Sequence, residues 1–169
     1  FNSDFEIENF LQVPEPLIQK EFSRIMSLKD GSRKMSKSEL SDLSRINLTD
    51  DSDLIVNKIK KAKTDPLPMP NTIKDLDERL EAKNLLGMYA SLTNSTLEKS
   101  IEIFAGKNFS EFKEKLSEVL VDKIQPISVE IKKLLDDKSY LNNTLLEGVE
   151  RANIIASKKI KRIKEIVGF

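Results

Sequence analysis

The chain has 169 residues, and its 28 Lys and Arg residues balance 28 Asp and Glu residues, so no overall field attracts nucleic acid or a membrane surface. It contains no Cys and no His, which excludes disulfides and thiolate metal sites and removes the usual general base, so any catalysis would be electrostatic or carboxylate-based. No apolar run approaches the roughly 20 residues that span a bilayer, and the start at Phe1 has no basic or apolar leader, so we expect a cytoplasmic protein with no membrane partner.

The first thirty residues predict little regular structure. Pro14 and Pro16 rule out a continuous helix there, because each proline lacks an amide donor and restricts the residue before it. Residues 23–28 alternate as a short strand would, with Ile25 as a candidate inward residue. This part of the chain is therefore predicted to be an irregular N-terminal stub.

A loop is predicted next. The turn-forming sequence Asp30-Gly31-Ser32 comes first, and Gly31 is free to take a positive φ in it. Lys34-Met35-Ser36-Lys37-Ser38 follows and falls on a loop between ordered segments. Two lysines separated by small hydroxyl residues suit a mobile loop that closes on a polyphosphate, because the ammonium groups neutralise phosphate charge and the serines add hydrogen bonds. Judged by charge alone, a solvated surface loop is the commoner role for such a pair.

Apolar residues then recur at helical spacing. Asp51 and the two residues before it offer acceptors for the first amides of a helix with Ile55 and Ile59 on one face. That helix is expected to stop at Asp65-Pro66, where three closely spaced prolines begin an extended linker. A second helix is predicted over residues 76–93.

The second half of the chain predicts further helices. The sequence 95–98 forms a capping box for a helix that ends at Gly106. Asn108 opens a longer tract in which Pro126 predicts a kink or a junction of two helices. The sequence 144–147 forms another capping box, which opens the last helix. An apolar stripe follows that helix at three- and four-residue steps: Leu145, Val149, Ala152, Ala156, Ile160, Ile163 and Val167.

Several segments together carry a family resemblance. The lysine-serine pentapeptide resembles the second signature motif, KMSKS, of the class I aminoacyl-tRNA synthetases. Residues 24–28 upstream and 61–65 downstream narrow the resemblance to the tryptophanyl-tRNA synthetases of bacterial type. Residues 84–89 and 147–153 are similar to two helical segments of that family, which the tyrosyl enzymes do not share.

The resemblance implies a fold class and a domain organisation. The chain resembles the C-terminal half of such a synthetase, so we expect an all-α, helical bundle-like domain with an irregular N-terminal stub from the end of a Rossmann α/β catalytic domain. Residues 1–48 would end the catalytic nucleotide-binding domain and carry the loop, and residues 49–135 would form the helical tRNA-recognition domain. Residues 136–169 would form a C-terminal helix that packs back on the missing catalytic domain.

The resemblance also implies a reaction. The family activates L-tryptophan with ATP and Mg²⁺ to tryptophanyl-adenylate and transfers it to tRNA(Trp), and its members are cytoplasmic homodimers. By the family pattern, Lys34 and Lys37 stabilise the negative charge that grows on the departing pyrophosphate, and Gly31 is a candidate hinge of the loop. The other ATP-binding residues that the resemblance implies are Ile25, Met35, Ser36 and Ser38. No metal-ligating residue is expected, because Mg²⁺ would arrive with ATP.

The same resemblance sets a limit on what this chain can do. The family's first signature, rich in His and Gly, and its tryptophan pocket lie earlier in the family's sequence than the segments matched here. We therefore expect the chain alone to be inactive. The alternative interpretation is a stand-alone helical module that binds RNA or a partner protein.

Two basic clusters complete the sequence features. They are Lys58, Lys60, Lys61 and Lys63, and, near the C-terminus, Lys158, Lys159, Lys161, Arg162 and Lys164. Cations on the polar face of a helix are commonly solvated, and those near a helix C-terminus also complement the helix dipole, which favours the solvated role for the second cluster. The family resemblance leaves contact with tRNA phosphate open for both.

Overall fold

The computed structural model describes residues 1–18 and 22–169, which form a mostly helical protein. They divide into two compact units. One unit combines Phe1–Ile18 with Lys133–Phe169, and the other holds the described residues between these segments, up to Lys132. Within the described ranges, no helix is long and apolar enough to cross a membrane. The predicted division at residues 48 and 135 stays a prediction.

A two-stranded antiparallel sheet carries the start of the lysine-serine segment. Strand β1 is Met26–Ser27 and strand β2 is Asp30–Lys34, and their register pairs Met26 with Lys34. The turn between them places Leu28 in the core, with 1% of its surface exposed. Strand β1 lies within residues 23–28, which the sequence predicted to alternate as a strand. Strand β2 was not predicted, and Lys34 is the last residue of a strand rather than a loop residue.

Helix α1, Ser52–Lys60, begins where the sequence predicted. The carboxylate of Asp51 accepts a hydrogen bond from the Leu54 amide at 2.9 Å and so satisfies one of the free donors of the first turn. Ile55 and Ile59 are completely buried. The helix ends well before the predicted stop at Asp65.

Helix α2 is Leu80–Leu92, and helix α3 is Leu97–Phe104. Helix α2 begins later than predicted, because a short 3₁₀ turn at Lys74–Leu76 precedes it. The hydroxyl of Thr96, not of Ser95, caps α3, so the predicted cap is wrong by one residue. After α3, Gly106 takes a φ of 71°, which agrees with its predicted place at the helix end.

The two longest helices differ from their predictions. Helix α4, Phe109–Asp136, continues through Pro126, so the two-helix alternative is wrong. Helix α5, Lys138–Val167, is capped by Asp137, whose carboxylate accepts a hydrogen bond from the Tyr140 amide at 2.9 Å. Thr144 therefore lies inside a helix and does not cap one.

Gly31 is needed for a different reason from the one that the sequence suggested. It lies in β2, and its φ is not positive. A Cβ at this position would lie 2.7 Å from the backbone nitrogen of Glu81 and 2.7 Å from the backbone carbonyl carbon of Leu80. The close approach of β2 to the start of α2 therefore requires glycine, and the predicted turn at this residue is wrong.

The hydrophobic core lies in the unit that contains β1 to α3. Its largest buried apolar members are Leu28, Ile55, Ile59, Met69, Leu76, Leu85, Leu86, Phe104, Phe112 and Leu116. The apolar stripe predicted for α5 is mostly exposed, with 65% of the surface of Leu145 and 53% of that of Ile160 accessible. The expectation that this helix packs on a further domain stays a prediction.

Candidate nucleotide site

Residues 35–38 form the loop that leaves β2. The Met35 amide donates to the Ile25 carbonyl at 3.0 Å, so the structure joins two of the predicted site residues directly. Within the loop, the Ser36 hydroxyl accepts a hydrogen bond from the Ser38 amide at 3.2 Å. Met35 and Ile25 are half-buried, whereas the two serines and Lys37 are exposed. The loop is thus fixed at its entry and open to solvent at its tip.

A cavity of about 580 Å³ lies between this loop and residues 45–49. Five of the six predicted site residues line it, and Ser38 does not. The opposite wall could not be predicted from the sequence, because residues 45–49 lie outside the motif and have no distinctive pattern. The lining residues are Ser23, Arg24, Ile25, Lys34, Met35, Ser36, Lys37, Arg45, Ile46, Asn47, Leu48 and Thr49.

The charge of this cavity is one-sided. Its described lining contains four cations, Arg24, Lys34, Lys37 and Arg45, and no carboxylate, although the chain as a whole is neutral. Lys34 and Lys37 are exposed, and no carboxylate of the described residues forms an ion pair with either ammonium group. Cationic side chains that face an open cavity without carboxylates fit an anionic ligand such as a polyphosphate.

A smaller cavity of about 260 Å³ shares Lys34 and Ser36 with the first one. It differs in charge, because Asp30 and Glu39 also line it. Hydrogen bonds from the side chain and amide of Ser32 lower the pKa of Asp30, which keeps this carboxylate charged. The smaller cavity is therefore a poorer fit for phosphate. Among the described residues, no group of three or more His, Cys, Asp or Glu side chains could hold a metal ion.

Helix α2 holds the entry side of the site. The Asn84 side chain accepts a hydrogen bond from the Met26 amide at 2.8 Å and donates one to the Met26 carbonyl at 2.9 Å. Asn84 is 8% exposed. The sequence predicted no specific role for Asn84 beyond its place in a family segment, although a polar residue beside the apolar Leu85 and Leu86 was a signal for a buried hydrogen-bonding role.

The first basic cluster is not a uniform exposed surface. Lys58 is completely buried, with its ammonium 2.6 Å from a carboxylate oxygen of Asp42 and 2.6 Å from one of Asp50. Lys63 lies 2.7 Å from Glu81, and hydrogen bonding to Lys63 lowers the pKa of that carboxyl. The prediction that grouped Lys58 with surface lysines is wrong. Its position three residues after Ile55 already placed it on the buried face of α1.

The C-terminal cluster also makes contacts within the chain. The Lys159 ammonium lies 4.0 Å from the centre of the Phe10 ring and donates to the Phe10 carbonyl. Arg162 pairs with Glu165 at 2.8 Å. These two cations therefore have partners in their own unit, and Lys158, Lys161 and Lys164 are exposed.

Comparison with known proteins identifies relatives along the whole chain. The model of the family "tRNA synthetases class I (W and Y)" matches residues 1–161. The chain is 46% identical over 169 residues to the tryptophan–tRNA ligase of Caulobacter vibrioides, covering 100% of this chain and 49% of the relative. It is 48% identical over 168 residues to the tryptophan–tRNA ligase of Rickettsia felis, covering 99% of this chain and 50% of the relative.

Solved structures show the same fold. The tryptophanyl-tRNA synthetase from Mycoplasma pneumoniae matches 99% of this chain with 49% of its own length, at a TM-score of 0.79 and 22% identity. The synthetase from Campylobacter jejuni, solved with ADP and tryptophan, matches 99% of this chain with 50% of its own, at a TM-score of 0.67 and 21% identity. The chain thus spans about half the length of the curated relatives it matches. The sequence matches confirm the resemblance to tryptophanyl-tRNA synthetases.

Proposed function

The chain belongs to the class I tRNA synthetases of the tryptophan and tyrosine group, and on that premise we propose that it is the part of a tryptophan–tRNA ligase that carries the ATP-binding loop and the helical domain. The observation that carries this proposal is the cavity of about 580 Å³, whose described lining has no carboxylate and contains Arg24, Lys34 and Lys37 besides Arg45, which pairs with Asp42. The motif residues Lys34 and Lys37 supply two of those cations. The relatives at 46% and 48% identity support tryptophan as the amino acid.

The reaction proposed for the complete protein places its main electrostatic demand on this loop. The tryptophan carboxylate attacks the α-phosphate of ATP, and negative charge grows on the departing pyrophosphate. Lys34 and Lys37 stabilise the transition state, in which this charge has grown, more strongly than they stabilise the ground state. This difference lowers the barrier. Mg²⁺ bound to ATP supplies further positive charge at the phosphates. Ile25 and Met35 form the adenine side of the cavity.

The two serines of the loop have separate roles in this proposal. The Ser36 hydroxyl already accepts the Ser38 amide, so it orders the loop and retains its own hydrogen for a phosphate oxygen. Ser38 lies outside the lining of the cavity, so its hydroxyl reaches phosphate only when the loop closes. Closure of this kind would bring the ammonium groups and both hydroxyls to one triphosphate.

The remaining parts of the reaction are assigned to the rest of the protein. We propose that residues 1–48 end a Rossmann catalytic domain and that the complete protein is a cytoplasmic homodimer that charges tRNA(Trp). The chain has no His and so cannot supply the His-rich first signature of the family. This chain alone should therefore catalyse no tryptophan-dependent exchange of pyrophosphate into ATP. Exposed Lys60 and Lys61 are the candidates within their cluster for contact with tRNA phosphate.

Alanine substitution in the full-length protein tests the role of the loop. We expect Lys34→Ala and Lys37→Ala each to lower kcat for ATP–pyrophosphate exchange by roughly 100-fold, because each removes a cation directed at the growing charge. Lys29→Ala is the matched control, since Lys29 is an exposed lysine of the same hairpin that does not line the cavity of about 580 Å³. Equal activity in all three variants would contradict the proposal.

A further inference from the structure

Lys58 connects α1 to the segment that follows the lysine-serine loop. It lies near the end of α1 with no exposed surface. Its ammonium is 2.6 Å from Asp42 Oδ2 and 2.6 Å from Asp50 Oδ2. A buried ammonium is tolerated only when close partners compensate its charge. Because both partners come from the segment after the loop, this contact fixes that segment on the most deeply buried face of α1.

Asp42 extends this contact to Arg45. Its second oxygen, Oδ1, accepts a hydrogen bond from Asn47 Nδ2 at 3.0 Å and lies 3.0 Å from Arg45 Nη2. Hydrogen bonds from Lys58 and then Asn47 lower the pKa of Asp42, so the carboxylate is charged at neutral pH. Only 17% of the Arg45 side chain is exposed. The guanidinium is therefore held in one orientation.

Arg45 in turn contacts the residue at which the loop ends. Its Nη1 donates to the Glu39 carbonyl at 2.8 Å, one residue after Ser38, and its Nε donates to Asn47 Oδ1 at 3.3 Å. With Nη2 on Asp42, all three nitrogens of the guanidinium bind the chain itself. Arg45 lines the nucleotide cavity, but its donors are engaged in holding backbone and side chains, which indicates a positioning role rather than a phosphate-binding one.

The entry of the loop is fixed as well. The Met35 amide is bound to the Ile25 carbonyl at 3.0 Å. Arg33 Nη2 lies 3.4 Å from the Glu39 carboxylate, which links the two ends of the loop across its base. The segment between these contacts is only residues 36–38. Within it the Ser36 hydroxyl accepts from the Ser38 amide at 3.2 Å, and the Ser36 carbonyl accepts from the Glu39 amide at 3.4 Å.

We propose that Arg45, held by Asp42 and buried Lys58, is a positioning residue that fixes the exit of the loop and thereby sets how Lys37 reaches into the cavity. A loop with few free residues loses less conformational entropy when it closes, and its ammonium group is held near the productive geometry. The role of ATP as the ligand rests on the proposed function, whereas the restraint on the loop does not.

The experiment compares two arginine variants of the full-length protein. Arg45→Ala removes the restraint on Glu39. Arg79→Ala is the matched control: Arg79 is 14% exposed, lies 2.8 Å from Asp65, and does not line the cavity. Hydrogen–deuterium exchange of peptides spanning residues 35–39 reports loop opening, and ATP–pyrophosphate exchange with ATP and tryptophan varied separately reports function. Thermal unfolding of both variants measures the loss of stability that each substitution causes.

Arg45→Ala is expected to speed amide exchange in the loop by about tenfold, the consequence of losing one charged hydrogen bond. It should also lower kcat/KM for ATP by about tenfold, with the KM for tryptophan unchanged. Asp42→Asn, which breaks the link between Lys58 and Arg45, should change both quantities in the same direction. Arg79→Ala should lower stability without either effect.

The inference is overturned if loop exchange and ATP kinetics in Arg45→Ala equal those in Arg79→Ala. Failure of the proposed function gives a different pattern. In that case alanine at Lys34 and Lys37 leaves ATP kinetics unchanged while Arg45→Ala still speeds exchange of the loop, and the positioning role stands. Loss of activity in the lysine variants with unchanged loop exchange in Arg45→Ala removes the positioning role alone.

Discussion

The side chain of Asn84 binds both backbone polar groups of Met26, accepting from its amide at 2.8 Å and donating to its carbonyl at 2.9 Å. An asparagine amide can match one residue of a strand in this way because its donor and acceptor lie side by side, as they do in a neighbouring strand. Asn84 of helix α2 therefore holds the outer edge of strand β1, and the hairpin places Lys34 at the edge of the cavity of about 580 Å³.

Asn84→Ala should lower the free energy of unfolding by about 1–3 kcal/mol, because it leaves the partly buried amide and carbonyl of Met26 without these partners. Urea denaturation measures this change. Lys83→Ala is the control, since Lys83 is exposed on the same helix and its replacement should change the free energy by less than about 0.5 kcal/mol. Equal stability of the two variants would show that the Asn84 bonds contribute nothing net.

Gly31→Ala should destabilise the fold by about 1–3 kcal/mol, because the added methyl group would overlap rigid backbone atoms of Leu80 and Glu81 at 2.7 Å. Gly148→Ala should have the opposite sign. Among the described residues, no atom outside the helix's own nearby backbone lies within 4 Å of a Cβ at Gly148, and alanine in a helix interior is favoured over glycine by roughly 0.5–1 kcal/mol. Thermal unfolding of both variants checks the pair, and a gain in Tm from Gly31→Ala would contradict the packing argument.

Features set by local chemistry could be predicted from the sequence. A cap within residues 49–51 and the buried positions Ile55 and Ile59 followed from residue type and spacing, since both depend on neighbours within about two helical turns. Caps were wrong where two suitable residues compete. Ser95 and Thr96 can both accept an amide at the start of α3, and Asp137 and Thr144 can both do so for α5. Only the path of the backbone decides which residue caps each helix.

Features that depend on distant segments were missed. The motif predicted one wall of the cavity, but the wall that includes Arg45 comes from an irregular segment with no periodicity. Gly31 was expected to serve a turn, whereas its requirement comes from Leu80 and Glu81, which are far away in the sequence. Lys58 was counted as a surface charge, because its partners Asp42 and Asp50 become neighbours only in the fold.

Lys58→Met should lower the free energy of unfolding by about 3–5 kcal/mol, because it leaves the carboxylate of Asp50 buried and unpaired. Asp50 is itself 5% exposed. Lys60→Met, an exposed change on the same helix, should alter stability by less than about 0.5 kcal/mol. A double variant with Asp50→Asn should recover part of the loss, and strictly additive losses would show that the two charges are not coupled.

The stability of the chain should respond to acid through a small set of paired carboxylates. At Asp65, burial acts to raise the pKa, but hydrogen bonds from the Arg79 side chain and the Leu67 amide outweigh it, so the net pKa is lowered. Hydrogen bonding from Lys63 likewise lowers the pKa of Glu81. With no His in the chain, no histidine titrates between about pH 5 and 8.

The sign of the pH effect follows from these lowered pKa values. The unfolded chain binds more protons than the folded chain as the pH falls below about 5, so the free energy of unfolding decreases as the pH falls through the folded pKa of each group. Asp65→Asn should therefore lower Tm at pH 7, because it removes the ion pair with Arg79. Its deficit relative to the unsubstituted chain should shrink as the pH is lowered from about 5 to about 2, where Asp65 itself becomes protonated. Glu78→Gln, at an exposed site, is the control, and its Tm should match that of the unsubstituted chain. A Tm deficit for Asp65→Asn that stays constant down to about pH 2 would assign its effect to lost packing rather than to lost charge.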